Sequence, residues 1–166
     1  MDTATVDLFL SNRRLRAEIP MRGFKRLSDV LNNTPGHFLS GLLRGVGEAG
    51  LLDTPPPEIE DRNLVVRLAD VLFVQPLDEA QPPSSPGAER RDRIAQRMAL
   101  ELGDWRLEGS LHLVDRVRWV DYATAMNDCF LAVTQASITI PVVRTLLESP
   151  FLLVNGARLS ALYEVE

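Results

Sequence analysis

The sequence is poor in cysteine, histidine, lysine and aromatic residues. Its one cysteine excludes an internal disulfide, a usage typical of a reducing cytosol. Two histidines and Cys129 are too few for a standard zinc site unless carboxylates join them. No apolar run approaches the roughly 20 residues that span a bilayer, and the first residues have no signal-peptide pattern. These absences predict a cytoplasmic protein without a metal, a cofactor or a membrane span.

The signatures of common enzyme classes are missing as well. The glycine-containing segment 41–50 lacks the Gly-Lys-Ser/Thr ending of a phosphate-binding loop. No Gly-x-Ser-x-Gly motif marks a nucleophile. Acidic residues such as Asp53 and Glu58 lie in proline-rich sequence, which does not hold two carboxylates at a fixed separation. We therefore expect a protein that is not an enzyme.

The residues that are present can form a packed core. Hydrophobic residues make up 45% of the 166 positions, enough for one ordinary domain or two small ones. The formal net charge is -5. An acidic surface repels nucleic-acid phosphates, so the charge disfavours broad nucleic-acid binding.

An internal repeat organises the chain. When the sequence is shifted by 92 positions, the apolar positions of 6–39 stay in phase with those of 98–131. At a shift of 88, three valines of the first copy fall on apolar residues of the second: Val66, Val71 and Val74 on Val154, Leu159 and Leu162. We interpret 1–77 and 91–166 as two diverged copies, joined by a Pro/Ser-rich linker at 78–90. A proline-rich loop, 53–61, lies within the first copy.

Each copy has the pattern of a strand-rich unit. Alternation of apolar and polar residues predicts an opening hairpin, which turns at Ser11-Asn12 in the first copy and at Gly103-Asp104 in the second. A short helix follows, capped by Ser28 in the first copy and covering 120–126 in the second. Asn155-Gly156 is typical of a type I′ turn, so a closing hairpin is expected at the end of each copy.

These patterns favour a mainly β protein of two tandem small barrel-like or rolled-sheet units, each with one short helix. We expect the two copies to pack through a pseudo-twofold face. Open sheet edges and the apolar segment 42–52 favour further self-association into a homo-oligomer.

Several short motifs resemble the Sm-like small barrel. They are Leu107-Glu-Gly109-Ser-Leu111, Met126-Asn127 and Val154-Asn155-Gly156, in that order. The segment Arg26-Leu-Ser-Asp-Val-Leu-Asn32 is also similar to a family of short bacterial domains of unknown function. The resemblance implies a small SH3-like barrel. It gives little support to RNA binding, because Asn155 stands where RNA-binding members have arginine.

A basic cluster lies in the first hairpin and the segment after it. Six cations fall within fourteen residues, with Glu18 as the only acid among them: Arg13, Arg14, Arg16, Arg22, Lys25 and Arg26. One interpretation is a solvated face paired with acids of the second copy or of the proline-rich loop. The other is a binding site for an acidic protein, a nucleic acid or an anionic lipid head group.

Three functions remain open from the sequence. The first is a non-catalytic interaction or assembly module with a protein partner, including another copy of itself. The second is a nucleic-acid-binding protein that uses the Arg-rich first hairpin. The third is a small-ligand sensor with a pocket between the copies.

Overall fold

The computed structural model describes residues 2–34, 37–78, 94–113, 117–140 and 145–166. Within these ranges the chain forms ten strands and two short α-helices, which confirms the mainly β fold. Apart from Asp78, the predicted linker 78–90 lies outside the described residues.

The first half of the chain contains five strands and one helix: β1 (Thr3–Phe9), β2 (Arg13–Pro20), α1 (Leu27–Asn32), β3 (Phe38–Glu48), β4 (Glu58–Arg67) and β5 (Phe73–Pro76). The second half has the same elements in the same order: β6 (Ile94–Leu102), β7 (Trp105–Leu113), α2 (Trp119–Ala125), β8 (Phe130–Ile140), β9 (Thr145–Asn155) and β10 (Ala161–Glu164). A 3-10 turn joins the last two strands of each half, at Leu68–Asp70 and Gly156–Arg158.

The opening hairpins form where alternation predicts them. β1 pairs with β2 around Ser11-Asn12, and β6 pairs with β7 around Gly103-Asp104. Gly103 has a φ of 60°, a left-handed conformation that glycine adopts without a steric penalty. Both opening hairpins are therefore confirmed.

All ten strands belong to one antiparallel sheet. Their order is β10-β6-β7-β8-β9-β5-β1-β2-β3-β4. The sheet is not closed into a barrel, because β4 and β10 each pair on one side only. The mainly β prediction is thus confirmed, and the prediction of two barrel-like units is not.

The two halves share strand order and register. In each half the fifth strand pairs with the first, which is followed across the sheet by the second, third and fourth. Val6 pairs with Ala17, and Met98 pairs with Gly109, 92 positions later in both strands. A register shift interrupts β2–β3 after Arg16 and β7–β8 after Glu108, again 92 positions apart. We call residues matched by the shifts of 92 (β1 to β3) and 88 (β4 and β5) equivalent residues. The boundaries of the repeats stay a prediction.

The predicted closing hairpins are wrong. β10 pairs with β6, and β5 pairs with β1 and β9, so neither fifth strand pairs with the fourth strand that precedes it. Asn155 has a φ of −72°, whereas a type I′ turn needs a positive φ at both central residues. The predicted Ser28 cap is also wrong, because α1 begins at Leu27 after Arg26 and has no side-chain cap.

The predicted pseudo-twofold packing is wrong as well. The halves meet where β9, the fourth strand of the second half, pairs with β5, the fifth strand of the first. A twofold face places the same surface on both sides, whereas this contact joins unlike strands. The contact between the halves is therefore head-to-tail, and we call it the internal junction.

Two hydrophobic clusters form the core, and each contains residues from both halves. The first-half cluster takes in three residues of the second half: Phe130, Phe151 and Leu153. The second-half cluster takes in five residues of the first: Phe9, Ala49, Leu52, Leu72 and Phe73. Burial of these side chains ties the two halves together.

Candidate functional site

The basic cluster of the first hairpin is built around a buried carboxylate. Asp7, on β1, is fully buried and lies opposite Arg16 in the β1–β2 ladder. Arg14 approaches Asp7 Oδ2 with Nη2 at 2.7 Å, and Arg16 donates to both Asp7 oxygens at 2.9 and 3.1 Å. The hydrogen bond to Asp7 raises the pKa of Arg16 above its ordinary value. Sequence reasoning missed Asp7, although its place in the opening hairpin pairs it with the arginines.

Arg14 also fixes the chain that follows β3. Its Nη1 donates to the carbonyl oxygens of Leu51, Leu52 and Thr54 at 3.2, 3.4 and 3.0 Å. Leu52 packs into the second-half cluster, so the Asp7–Arg14 pair supports the internal junction. With 5% of its surface exposed, Arg14 cannot contribute to a surface binding site.

The other predicted binding residues are dispersed. Arg22 is exposed and donates to Ser40 Oγ at 3.0 Å, while Arg13 and Lys25 are exposed. Arg26 is half-buried, with an interaction of its own. Binding of an acidic partner or a nucleic acid stays a prediction for the other five residues, since Arg14 is buried.

Other chemistry is sparse in the described part of the chain. Those residues contain no group of three or more metal-ligating side chains and no helix able to cross a membrane. An open depression of about 490 Å³ lies between the turns of the two halves, and its lining includes Arg13, Glu48, Asp104 and Trp105. Its position matches the pocket that the ligand-sensor hypothesis requires, but no described feature identifies a ligand.

The internal junction is short and its backbone pairing is specific. Phe73 pairs with Val154, and Val74 pairs with Leu153. The ladder is extended by the Asn155 N–H, which donates to the Leu72 carbonyl oxygen at 2.9 Å. Edge-to-edge pairing of this kind satisfies the backbone groups that a sheet edge otherwise leaves unpaired.

The Asn155 side chain fixes the end of this junction. Its Nδ2 donates to the carbonyl oxygens of Leu68 and Val71 at 3.1 and 2.8 Å, and its Oδ1 accepts from the Ala157 N–H at 3.1 Å. The residue is buried. One amide therefore connects the turn after β9 with the turn before β5.

Helix α1 covers the junction from one side. Its residues Leu27, Val30 and Leu31 share a cluster with Phe130 and Leu153. The Phe130 N–H donates to Asn32 Oδ1 at 2.8 Å, so the helix contacts the start of β8 directly. This enclosure leaves Phe130 8% exposed and Leu153 fully buried.

The two free edges of the sheet are β4 and β10, and at the β4 edge two residues are exposed whose equivalents at the junction are buried. Val65 on β4, equivalent to Leu153, is 68% exposed, and Phe38, equivalent to Phe130, is 49% exposed. The Arg67 guanidinium lies 5.5 Å from the Phe38 ring centre. At the other end of the sheet, Tyr163 of β10 is exposed.

Helix α2 lies beside the β10 edge with one side uncovered. Trp119 Nε1 donates to Glu164 Oε1 at 2.9 Å, which connects the helix with β10. Unlike α1, helix α2 has no buried residue, and its Val120 and the preceding Val117 are exposed. Burial raises the pKa of Tyr122, whose ring packs edge-on against Trp119. Each end of the sheet is thus formed by a strand equivalent to one strand of the internal junction: β4 to β9, and β10 to β5.

Comparison with known proteins gives no relative: no family model, no curated protein and no solved structure matches this chain.

Proposed function

We propose that this chain is a non-catalytic assembly module whose partner is a second copy of itself. In this assembly, β4 of one copy pairs with β10 of the next, head to tail. The observation that carries the proposal is the pairing of β9 with β5 at the internal junction, because β4 and β10 are the equivalents of these two strands.

The register of the contact between copies follows from the internal junction. Phe73 opposite Val154 corresponds to Ala161 opposite Val66, and Val74 opposite Leu153 corresponds to Leu162 opposite Val65. In this register Val65 becomes enclosed between neighbouring strands, as Leu153 is. Main-chain hydrogen bonds supply affinity in strand addition, and the side chains supply specificity.

The tandem organisation and the Sm-like resemblance form part of the same proposal. Each half is a barrel-like unit of five strands and one helix, and the two units are diverged copies. The registers of the first-to-second and fifth-to-first strand ladders are equal in the two halves, and those of the third-to-fourth strand ladders agree from Phe38 to Leu42, which supports this interpretation. In this assembly the same pairing, of a fourth strand with a fifth strand, joins the two units of one chain and joins each chain to the next.

The test uses two full-length variants, each with one edge blocked. Val65→Glu places a charge on β4, and Ala161→Glu places the same charge on β10. Both positions are at least partly exposed, so we expect both variants to fold. Leu51→Asp, at an exposed position outside β4 and β10, serves as the control.

Molar mass is measured by sedimentation and light scattering over a wide range of concentration. We expect the natural chain and the control to assemble, and each blocked variant to be a monomer. An equimolar mixture of the two variants should form a dimer and nothing larger, because one intact β4 and one intact β10 remain. A natural chain that stays monomeric, or an Ala161→Glu variant that assembles alone, would show that the proposal is wrong.

A further inference from the structure

We propose that helix α2 of one copy is the receptor for Phe38 of the next, at Tyr122 and Ala123. This inference rests on the proposed function and specifies the side-chain contact that accompanies strand pairing. Its basis is the way in which α1 receives Phe130 at the internal junction.

The contact of Phe130 with α1 defines the geometry. Val30 and Leu31 of α1 belong to the same buried cluster as Phe130, and Asn32 accepts a hydrogen bond from the Phe130 backbone. Phe130 is the first residue of β8 and pairs with Asn155 at the end of β9. The aromatic ring therefore lies at the position where the fourth strand meets the neighbouring half.

Phe38 holds the same position at the free β4 edge. It is the first residue of β3 and pairs with Arg67 at the end of β4. No helix of the described residues covers it there, and about half of its surface is exposed. Arg67 lies over its ring, which keeps the ring at the end of the strand.

The proposed receiving surface on α2 has side chains that can contact an aromatic ring. The α2 residues equivalent to Val30 and Leu31 are Tyr122 and Ala123, and both are half-buried. An aromatic ring beside a small side chain leaves room for the Phe38 ring. Aromatic anchors in such places contribute a large share of the binding energy of an interface.

The experiment uses the dimer formed by the two edge-blocked variants, because it contains a single junction of known direction. The Ala161→Glu chain supplies β4 and Phe38, and the Val65→Glu chain supplies β10 and α2. Phe38→Ala is introduced into either chain, and the dissociation constant is measured by sedimentation. The same is done with Ala123→Glu, which places a charge on the receiving surface.

We expect Phe38→Ala to weaken the dimer roughly tenfold or more in the Ala161→Glu chain and to leave it unchanged in the Val65→Glu chain. Ala123→Glu should show the reverse dependence on the chain that carries it. Placing each substitution in the other chain provides the control. A substitution that damages folding would weaken the dimer whichever chain carries it, whereas loss of the contact weakens it from one chain only. Acrylamide quenching of tryptophan fluorescence should fall on dimerisation, because Trp105 is already buried and Trp119 lies on α2.

Two results overturn the inference in distinguishable ways. A dimer that forms with the same affinity when Phe38→Ala is in the Ala161→Glu chain shows that Phe38 is not an anchor, while strand pairing stands. Failure of the two edge-blocked variants to form any dimer removes the proposed function and this inference together.

Discussion

At the internal junction Phe130 and Leu153 are enclosed, whereas Phe38 and Val65 face solvent at the free β4 edge. The strands have the same order and register in the two places, so local strand structure does not explain the difference. What differs is the presence of a neighbouring fifth strand and a covering helix. Burial at these positions therefore depends on a neighbouring strand and a covering helix, which the internal junction has and the β4 edge of the described structure lacks.

The free edge also has features that the junction lacks. Asn63 stands at the place of Phe151, and β4 begins with a charged stretch at 58–62. Charged residues on an edge strand oppose indiscriminate pairing with other sheets. The proposed contact between copies is thus more polar than the internal junction, and we expect it to be reversible where the internal one is permanent.

The largest expected effect on stability comes from removing the buried charge of Asp7, which supports the internal junction through Arg14. Asp7→Asn leaves Arg14 and Arg16 without their shared buried carboxylate, and breaking a buried ion pair costs about 3–5 kcal/mol. We expect a loss of that size in the free energy of unfolding, measured by urea denaturation. Asp61→Asn, which removes an exposed partner of Arg44, is the control and should cost less than about 1 kcal/mol. Equal effects of the two substitutions would contradict the supporting role of Asp7.

A second pair of substitutions compares equivalent positions at the internal junction and at the free β4 edge. Leu153→Ala removes a fully buried side chain and should lower the free energy of unfolding by about 3 kcal/mol. Val65→Ala, at the equivalent exposed position, should change it by less than about 0.5 kcal/mol. Both are measured on monomers, in the Ala161→Glu background. A large effect of Val65→Ala there would mean that Val65 is buried within one copy.

The smallest expected effect concerns the polar contacts at the end of the junction. Asn155→Ala removes the amide that serves the Leu68 and Val71 carbonyl groups, and it should cost about 1–3 kcal/mol. Arg67→Ala at the equivalent free position should be close to neutral in the same unfolding experiment. If Asn155→Ala also leaves the free energy of unfolding unchanged, the Asn155 amide does not stabilise the junction.

Local structure could be predicted from the sequence, and long-range pairing could not. Alternation located both opening hairpins, and the second helix was predicted within a residue of Trp119–Ala125. The Asn155-Gly156 signal failed because tertiary contacts use the Asn155 side chain elsewhere and hold its φ negative. The fifth strands pair with strands distant in sequence, and local periodicity does not specify that choice.

The candidate site was only partly accessible from the sequence. The basic cluster was visible, but the burial of Arg14 depends on Asp7 and on the carbonyl groups of 51–54, which the fold brings together. Phe38 falls among the apolar positions that the two copies share, and Val65 falls on Leu153 at the shift of 88, so neither position looks exposed in the sequence. Only the strand order distinguishes them from their buried equivalents, because it leaves β4 at an end of the sheet.

The internal junction also bears on the concentration at which such chains would meet. Two units within one polypeptide find each other at a high effective concentration, so their contact forms as the chain folds and needs no collision between molecules. Along an assembly of these chains, every second contact is therefore already in place before any association begins. In the proposed assembly, protein concentration would therefore control only the contacts between chains.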